Sequence, residues 1–451
     1  MALIELDLTA QPDLTPRSLP PAHRYRLPGL LLALVLALVL GGAAPGQAVL
    51  WRYLGLVPSS GGPEAPFQLA GGRIWTMATD GADRLATAWS IDEPPRPLWT
   101  ARFPTRVVGP DQVGFGSVDA QPAGDVVLLS DGPAITAVDA RTGRTRWTSP
   151  VVVTPLAGHQ VGVQQVQQFR PGTVYDQSSG DPGMIYFSST GEPHTEPPTR
   201  SEVRGLDLRT GRSLWSVSAP GSVNMFVAPG DDPAVLVLSS GRLERRDGGA
   251  GTLQRQIAMP RLGGSGPSSG ELIDGLLLVH WSDLGHEIAY DPVTLAQLWE
   301  RDLPEVLLDP ANCVDVLCAG GQSALDVLDP ATGAARWRAG RNVDLMASSG
   351  YVLEVDSRSS DPVRLADPAT GRSRVDLSGW RLDVSGPEGV PLVVIRTEVK
   401  PLTSAFAVVD TRHDVLQPLG AVTGAVSSCL ADGQHVVCRG DDGLRVWAYR
   451  S

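Results

Sequence analysis

Four cysteines, seven histidines and a recurring aspartate are the side chains of this chain whose types could do chemistry. Cys313-Val-Asp-Val-Leu-Cys318 and Cys429-Leu-Ala-Asp-Gly-Gln-His-Val-Val-Cys438 offer two local thiol pairs at equivalent places in two sequence units. A zinc site using all four thiolates would require two distant units to converge. Two local disulfides, Cys313–Cys318 and Cys429–Cys438, are the expectation, provided this part of the chain lies outside the cytoplasm. His23, His159, His194, His280, His286, His413 and His435 show no HExxH spacing, and His280 and His286 read as structural. No compact Asp-x-Asp-x-Asp-Gly loop is present to bind calcium, so the recurring aspartates read as turn stabilisers. Nucleophile elbows and Walker loops are missing, and Gly-rich 263–270 lacks the helix that a phosphate cradle needs. Catalytic, cofactor-binding and metal residues are therefore expected to be none.

The aspartates belong to a unit best seen in 325–337, LDVLDPATGAARW. An alternating strand leads to a turn in which Asp bonds its own backbone, Pro presets φ and Gly accepts φ > 0. A second strand then carries Trp. The register Asp, Gly, Trp is kept in Asp139/Gly143/Trp147, Asp207/Gly211/Trp215 and Asp329/Gly333/Trp337. Looser copies end at Trp99, Arg255, Trp299, Val375 and Pro418, with Leu295 and Asp414 at the glycine position. The copies recur at about 40–45 residues, the length of one four-stranded propeller blade. Between them lie short apolar runs such as 125–129, 234–238, 276–280 and 391–395, each fitting a strand buried on both faces. The 50 glycines and 38 prolines suit such a turn-rich array. The repeated tryptophans read as packing between blades and not as a ligand cage.

The fold expected is all-β: a β-propeller of four-stranded blades over residues 50–451, eight in number, with seven or nine left open. A count of nine follows if every turn motif is a blade and the tail pairs with an N-terminal strand near 49–54. Eight follows if the motif at Asp92 or Asp410 is incomplete.

Ahead of the repeats, residues 27–51 carry no charge, long enough to span a bilayer. Arg17, Arg24 and Arg26 precede this stretch, which places the N-terminus inside. Residues 1–26 are read as a cytoplasmic tail and 27–49 as a transmembrane signal-anchor in the plasma membrane. The propeller is then extracytoplasmic, and the lipid bilayer is one partner. Cleavage of this stretch as a signal peptide, after Ala48, is the alternative. A net charge of −12 speaks against a nucleic-acid partner, which would need clustered cations. Lys400 is the single lysine beside 36 arginines, a bias of high-GC bacterial genomes and not a phosphate-binding signature.

Asp-x-x-Thr-Gly-x-x-x-Trp after an alternating strand resembles the repeat of the pyrroloquinoline-quinone (PQQ)-like β-propellers. That superfamily includes quinoprotein alcohol dehydrogenases, an outer-membrane assembly lipoprotein and sensor ectodomains. The resemblance covers roughly residues 70–450 and implies a non-catalytic scaffold in the cell envelope that binds an envelope protein or small ligand. Its alternatives are a PQQ-dependent dehydrogenase and a sensor of a cell-wall or small-molecule ligand. Such dehydrogenases carry adjacent cysteines beside the cofactor, and this chain has no Cys-Cys pair. No cofactor is expected.

The step from Trp147 to Trp215 exceeds one blade by about 25–30 residues. The surplus is assigned to two polar segments, 156–170 with Gln164, Gln165, Gln167 and Gln168, and 188–200 with Glu192, His194 and Glu196. Both are expected as loops on the face of the B–C connections, as candidate partner-binding elements. The opposite face, bearing the Asp…Gly turns, is expected to be flat.

Overall fold

Each repeat folds as an antiparallel meander of strands A to D, with A innermost and D on the rim. The computed structural model describes residues 51–450 apart from 59–60, 63–64, 82, 105–117, 229–231, 304–311, 322–323 and 387–388. The expected tail and membrane anchor, 1–49, lie outside the described residues. Among those described, no helix is long and apolar enough to cross a membrane.

The first blade comprises Phe67–Ala70, Arg73–Asp80, Asp83–Ser90 and Pro97–Pro104, and the second runs from Val118–Ala123 to Thr145–Ser149. The third contains Thr154–Pro155, Val161–Gln168, Arg200–Asp207 and Ser213–Pro220. The fourth spans Val223–Ala228 to Leu253–Ala258, the fifth Ser269–Ile273 to Gln297–Asp302, and the seventh Val343–Ser348 to Ser373–Asp376. The sixth (Cys318–Gly321, Ala324–Leu328, Ala335–Arg338) and eighth (Val393–Val399, Leu402–Asp410, Val415–Thr423) are three-stranded. In the ninth, Ser427–Ala431, His435–Gly440 and Gly443–Tyr449 take Trp51–Val57 as their outer strand, in antiparallel register from Trp51↔Tyr449 to Val57↔Leu444.

The ring thus has nine blades, one more than the eight expected. Both of the weak motifs belong to blades: Asp92 lies in the C–D turn of the four-stranded first blade, and Asp410 ends strand C of the three-stranded eighth. Closure by an N-terminal strand accounts for the ninth.

Strand B is the buried heart of each blade. Val126–Asp131, Ala234–Ser239 and Leu276–Trp281 are buried almost throughout, because neighbouring blades cover both of their faces. Leu236 and Leu238, for example, pack with Leu277, Val279 and Trp281 of the next blade. Burial on both faces explains why these strands read as continuous apolar runs.

Among the described residues the sixth and eighth blades have no inner strand of their own, for a specific reason. Cys313–Val314 pairs in parallel with Leu345–Met346 of the seventh blade. Val384–Ser385 likewise pairs in parallel with Cys429–Leu430 of the ninth. In both places the segment due to be strand A joins the inner strand of the following blade.

Candidate functional site

The Asp…Gly turn does two jobs. In Asp139, Asp207, Asp291, Asp329 and Asp367 one carboxylate oxygen accepts the backbone N–H group two residues on, and in most also that three residues on. The other oxygen can pair with an arginine in strand D: Asp139 with Arg146, Asp329 with Arg336, Asp367 with Arg374. The Arg374 guanidinium, with help from Thr370, draws the Asp367 carboxyl down to about 2. Arg204 and Ser216 draw Glu202 down to about 2. A carboxyl lowered in the folded state adds stability fully above its unfolded pKa of about 4, and that stability is lost as pH falls through the folded value. Thermal midpoints should therefore drop between about pH 4 and 2. Asp367→Asn keeps the turn acceptor but loses the ion pair, and its midpoint should fall less steeply over that window. An unchanged slope would remove Asp367 from the explanation.

The turn glycine meets the tryptophan of the preceding blade. Trp99, Trp147, Trp215, Trp299 and Trp337 each donate Nε1–H to a turn carbonyl of the next blade: Ala140, Leu208, Gly248, Pro330 and Pro368, at 2.7–3.1 Å. Each ring packs against the turn glycine of that blade, whose φ is near +70°. Gly143 shows what the turn reading left out. The turn motif requires a positive φ there, and Gly143 has one, 71°. Yet Gly143 is buried although its turn neighbours Arg141 and Thr142 are exposed, because the Trp99 ring of the first blade covers it. A Cβ on Gly143 would run into that ring, so the residue is a packing surface between blades as well as a turn. Elsewhere a Cβ on Gly211 would come to 2.8 Å from Trp147, one on Gly333 to 2.7 Å from Trp299, and one on Gly371 to 2.5 Å from Trp337.

Four of the five departures from the motif occur in pairs across one interface, Pro418 being the exception. Arg255 replaces Trp in the fourth blade, and Leu295 replaces Gly in the fifth. Val375 replaces Trp in the seventh, and Asp414 replaces Gly in the eighth. Leu295 and Asp414 keep the left-handed backbone, at φ 58° and 55°. Leu295 is buried in the core between the fourth and fifth blades. Asp414 accepts the Tyr351 hydroxyl at 2.6 Å and pairs with Arg374. Without the indole, the side chain on the turn residue fills the gap.

Both cystines are present, Cys313–Cys318 with Cα atoms 6.4 Å apart and Cys429–Cys438 with 4.1 Å. Cys429 and Cys438 join strands A and B of the ninth blade and are fully buried. Cys313–Cys318 ties the diverted inner segment back to strand B of the sixth. Gly266-Pro-Ser-Ser-Gly270 spells G-x-S-x-G, a match missed in the sequence, but it runs into a strand and not a helix. Ser268 Oγ is engaged by the His280 carbonyl and Ser282 Oγ, so it is no nucleophile elbow. His280 sits between Glu287, at 3.1 Å, and Glu271, at 4.0 Å. His280 and Arg301 together hold the buried Glu287 carboxyl below its usual range against the opposing effect of burial. Among the described residues no three His, Cys, Asp or Glu side chains group to hold a metal ion.

The candidate partner loops need correction. Residues 161–168, expected within a polar loop, are strand B of the third blade, paired along their whole length with Arg200–Asp207. Gln164 is buried and accepts from Ser149 Oγ, and Gln165 donates to the Val223 carbonyl. Gln167 and Gln168 continue the strand. The surplus is therefore one insertion, 169–199, between strands B and C. Glu192, His194 and Glu196 lie within it, but His194 is buried: its ring stacks on Phe169 at 3.8 Å and its Nδ1 meets Thr173 Oγ1 at 3.1 Å. The insertion is held by its own bonds: the hairpin Tyr186–Phe187/Pro193–His194, a bridge from Val174 to His194, and the Arg170–Glu196 ion pair. Its ends meet where the Thr199 N–H donates to the Gln168 carbonyl.

The turn face is not flat as expected. Diversion of two inner strands opens a cleft of about 870 Å³ across the fifth to eighth blades, lined among others by Asp274, Asp315, Ser349, Tyr351, Pro368 and Thr411.

Residues 39–225 match the family described as outer membrane protein assembly factor BamB, a PQQ-type repeat family. No curated protein matches the chain. Among solved structures it is similar to BamB from Moraxella catarrhalis, at 12% identity over 88% of this chain and 98% of that one, with a TM-score of 0.38. Sqt1 from Saccharomyces cerevisiae follows at 10% identity, 90% and 97% coverage and TM-score 0.40. The WD40 domain of SCAP from fission yeast gives 10%, 74% and 96%, and 0.35. With its repeats closed into a ring, the chain is a β-propeller, and residues 39–225 of it, about two-fifths of the sequence, match PQQ-type repeats.

Proposed function

We propose that this propeller is a non-catalytic interaction scaffold of the bacterial cell envelope, anchored through residues 27–49 and engaging a partner protein through its B–C face. The observation that carries the reading is the ordered insertion 169–199 on a rigid ring, because irregular loops held on a scaffold are the usual place for recognition. The family match supports it through the matched family's own description as an assembly factor. Anchoring rests on the uncharged stretch preceding Trp51.

Gln168 and Arg200 are paired directly, so a tight Asn-Gly turn can replace 169–199 without moving either strand. The full chain with this replacement should melt within a few degrees of wild type. In crosslinked capture from intact membranes it should lose the partner that wild type recovers. Undiminished recovery of that partner by a folded variant would remove the insertion from the reading.

A further inference from the structure

Within the insertion, charge and exposure select the kind of partner. Three of the four most exposed large apolar side chains among the described residues lie in 169–199: Met184 at 69%, Phe187 at 64% and Val174 at 58%. Exposed Val152 sits in the D–A connection into the same blade, on the same face. Hydrophobes this exposed on a segment fixed by its own hydrogen bonds mark a contact surface more than a loose loop.

Around them the charge is one-sided. The insertion has four carboxylates, Asp176, Asp181, Glu192 and Glu196, against one cation, Arg170, which is spent on Glu196. Asp176 accepts the Ser178 N–H and Asp181 the Gly183 N–H, so backbone contacts fix both carboxylates in place. Among the described residues no basic side chain is paired with Asp176, Asp181 or Glu192. Net −3 in this short segment is several times the average density of a chain carrying −12 overall. An anionic lipid surface or a nucleic acid would be repelled by that field.

Resting on the scaffold reading above, we infer that the insertion of the third blade docks a protein segment that is net basic and carries apolar side chains. The apolar part packs on Met184, Phe187 and Val174, while Lys or Arg groups face Asp176, Asp181 and Glu192. Such a site gains on-rate and selectivity from charge and residence time from apolar contact.

The test uses the full chain, wild type and two variants, Phe187→Ser and Asp181→Asn/Glu192→Gln. The altered positions are all at the surface, and melting curves verify that the ring is intact. The probes are a short amphipathic Arg/Leu peptide, its Glu/Leu counterpart, and phosphatidylcholine–phosphatidylglycerol vesicles. The expected result is binding of the Arg/Leu peptide alone, weakened about tenfold in each variant and weakened further by salt. Equal binding by wild type and variants, preference for the Glu/Leu peptide, attachment to the vesicles, or no binding at all would overturn the inference. Should this fail while loop replacement still abolishes partner capture, the scaffold reading stands and only the partner's chemistry changes.

Discussion

Gly371→Ala should lower the unfolding free energy by about 2–4 kcal/mol, the sum of a side chain forced into the left-handed region and a methyl driven onto an indole. Gly371 has φ +66°, and the added Cβ would lie 2.5 Å from Trp337. The indole is held in place by its Nε1–H bond to the Pro368 carbonyl, so it cannot easily swing away. A cycle with Trp337→Ala separates the two costs. Removing the ring is itself costly, but in that background Gly371→Ala should cost only the backbone term, about 1–2 kcal/mol. Chemical denaturation of the four proteins measures the coupling. Additive effects would mean that the glycine is kept for its backbone alone. Leu295 provides the natural comparison: the same backbone carries a buried leucine where the neighbouring blade offers Arg255 in place of a tryptophan.

Val57→Asp should be more damaging still, on the order of 4 kcal/mol or more, because it places an unpaired carboxylate in a dry interface. Val57 is fully buried against Leu69, Ile74, Val437 and Leu444, where the last blade meets the first. The loss should appear as a lower denaturant midpoint together with new protease cleavage in Gly443–Tyr449, whose outer partner is gone. Tyr53 in the same strand is half exposed. Tyr53→Ser should stay within about 0.5–1 kcal/mol of wild type. Similar losses at both positions would show that burial at the seam is not what closes the ring.

The propeller was legible in the sequence because its signals are local. The turn chemistry of Asp329–Gly333 and the twofold alternation around it specify a hairpin without help from the rest of the chain. Closure was legible too, since the tail at 444–449 needed a partner and a strand stood ready near 51. All the turn motifs were visible, and eight blades were expected instead of nine because four to eight is the usual range, with the turns at Asp92 and Asp410, which lack glycine at the usual place, the weakest of the set. Gly143 was placed in its turn by the motif, but its burial under Trp99 depends on a blade more than 40 residues away. The paired exchange of Trp–Gly for Arg255–Leu295 and Val375–Asp414 joins positions about 40 residues apart. Only the ring brings them together. The strand at 161–168 reads as a loop in the sequence because four glutamines look polar. Gln164 nonetheless is buried with its amide oxygen accepting a hydrogen bond, and Gln165 spends its amide on the next blade's Val223. The cleft on the turn face had no sequence signal, since it arises from two inner strands, 313–314 and 384–385, pairing with the following blade.

Two faces of one ring therefore compete as the place of recognition, the insertion of the third blade and the cleft of the fifth to eighth. Amide hydrogen exchange of the full chain, alone and bound to the partner recovered by crosslinking, tests the account most directly. It predicts slowed exchange in 169–199, centred on Met184 to Glu192, with 347–351 and 389–392 unchanged. Protection confined to those turn-face segments, with the insertion exchanging as in the free protein, would contradict it.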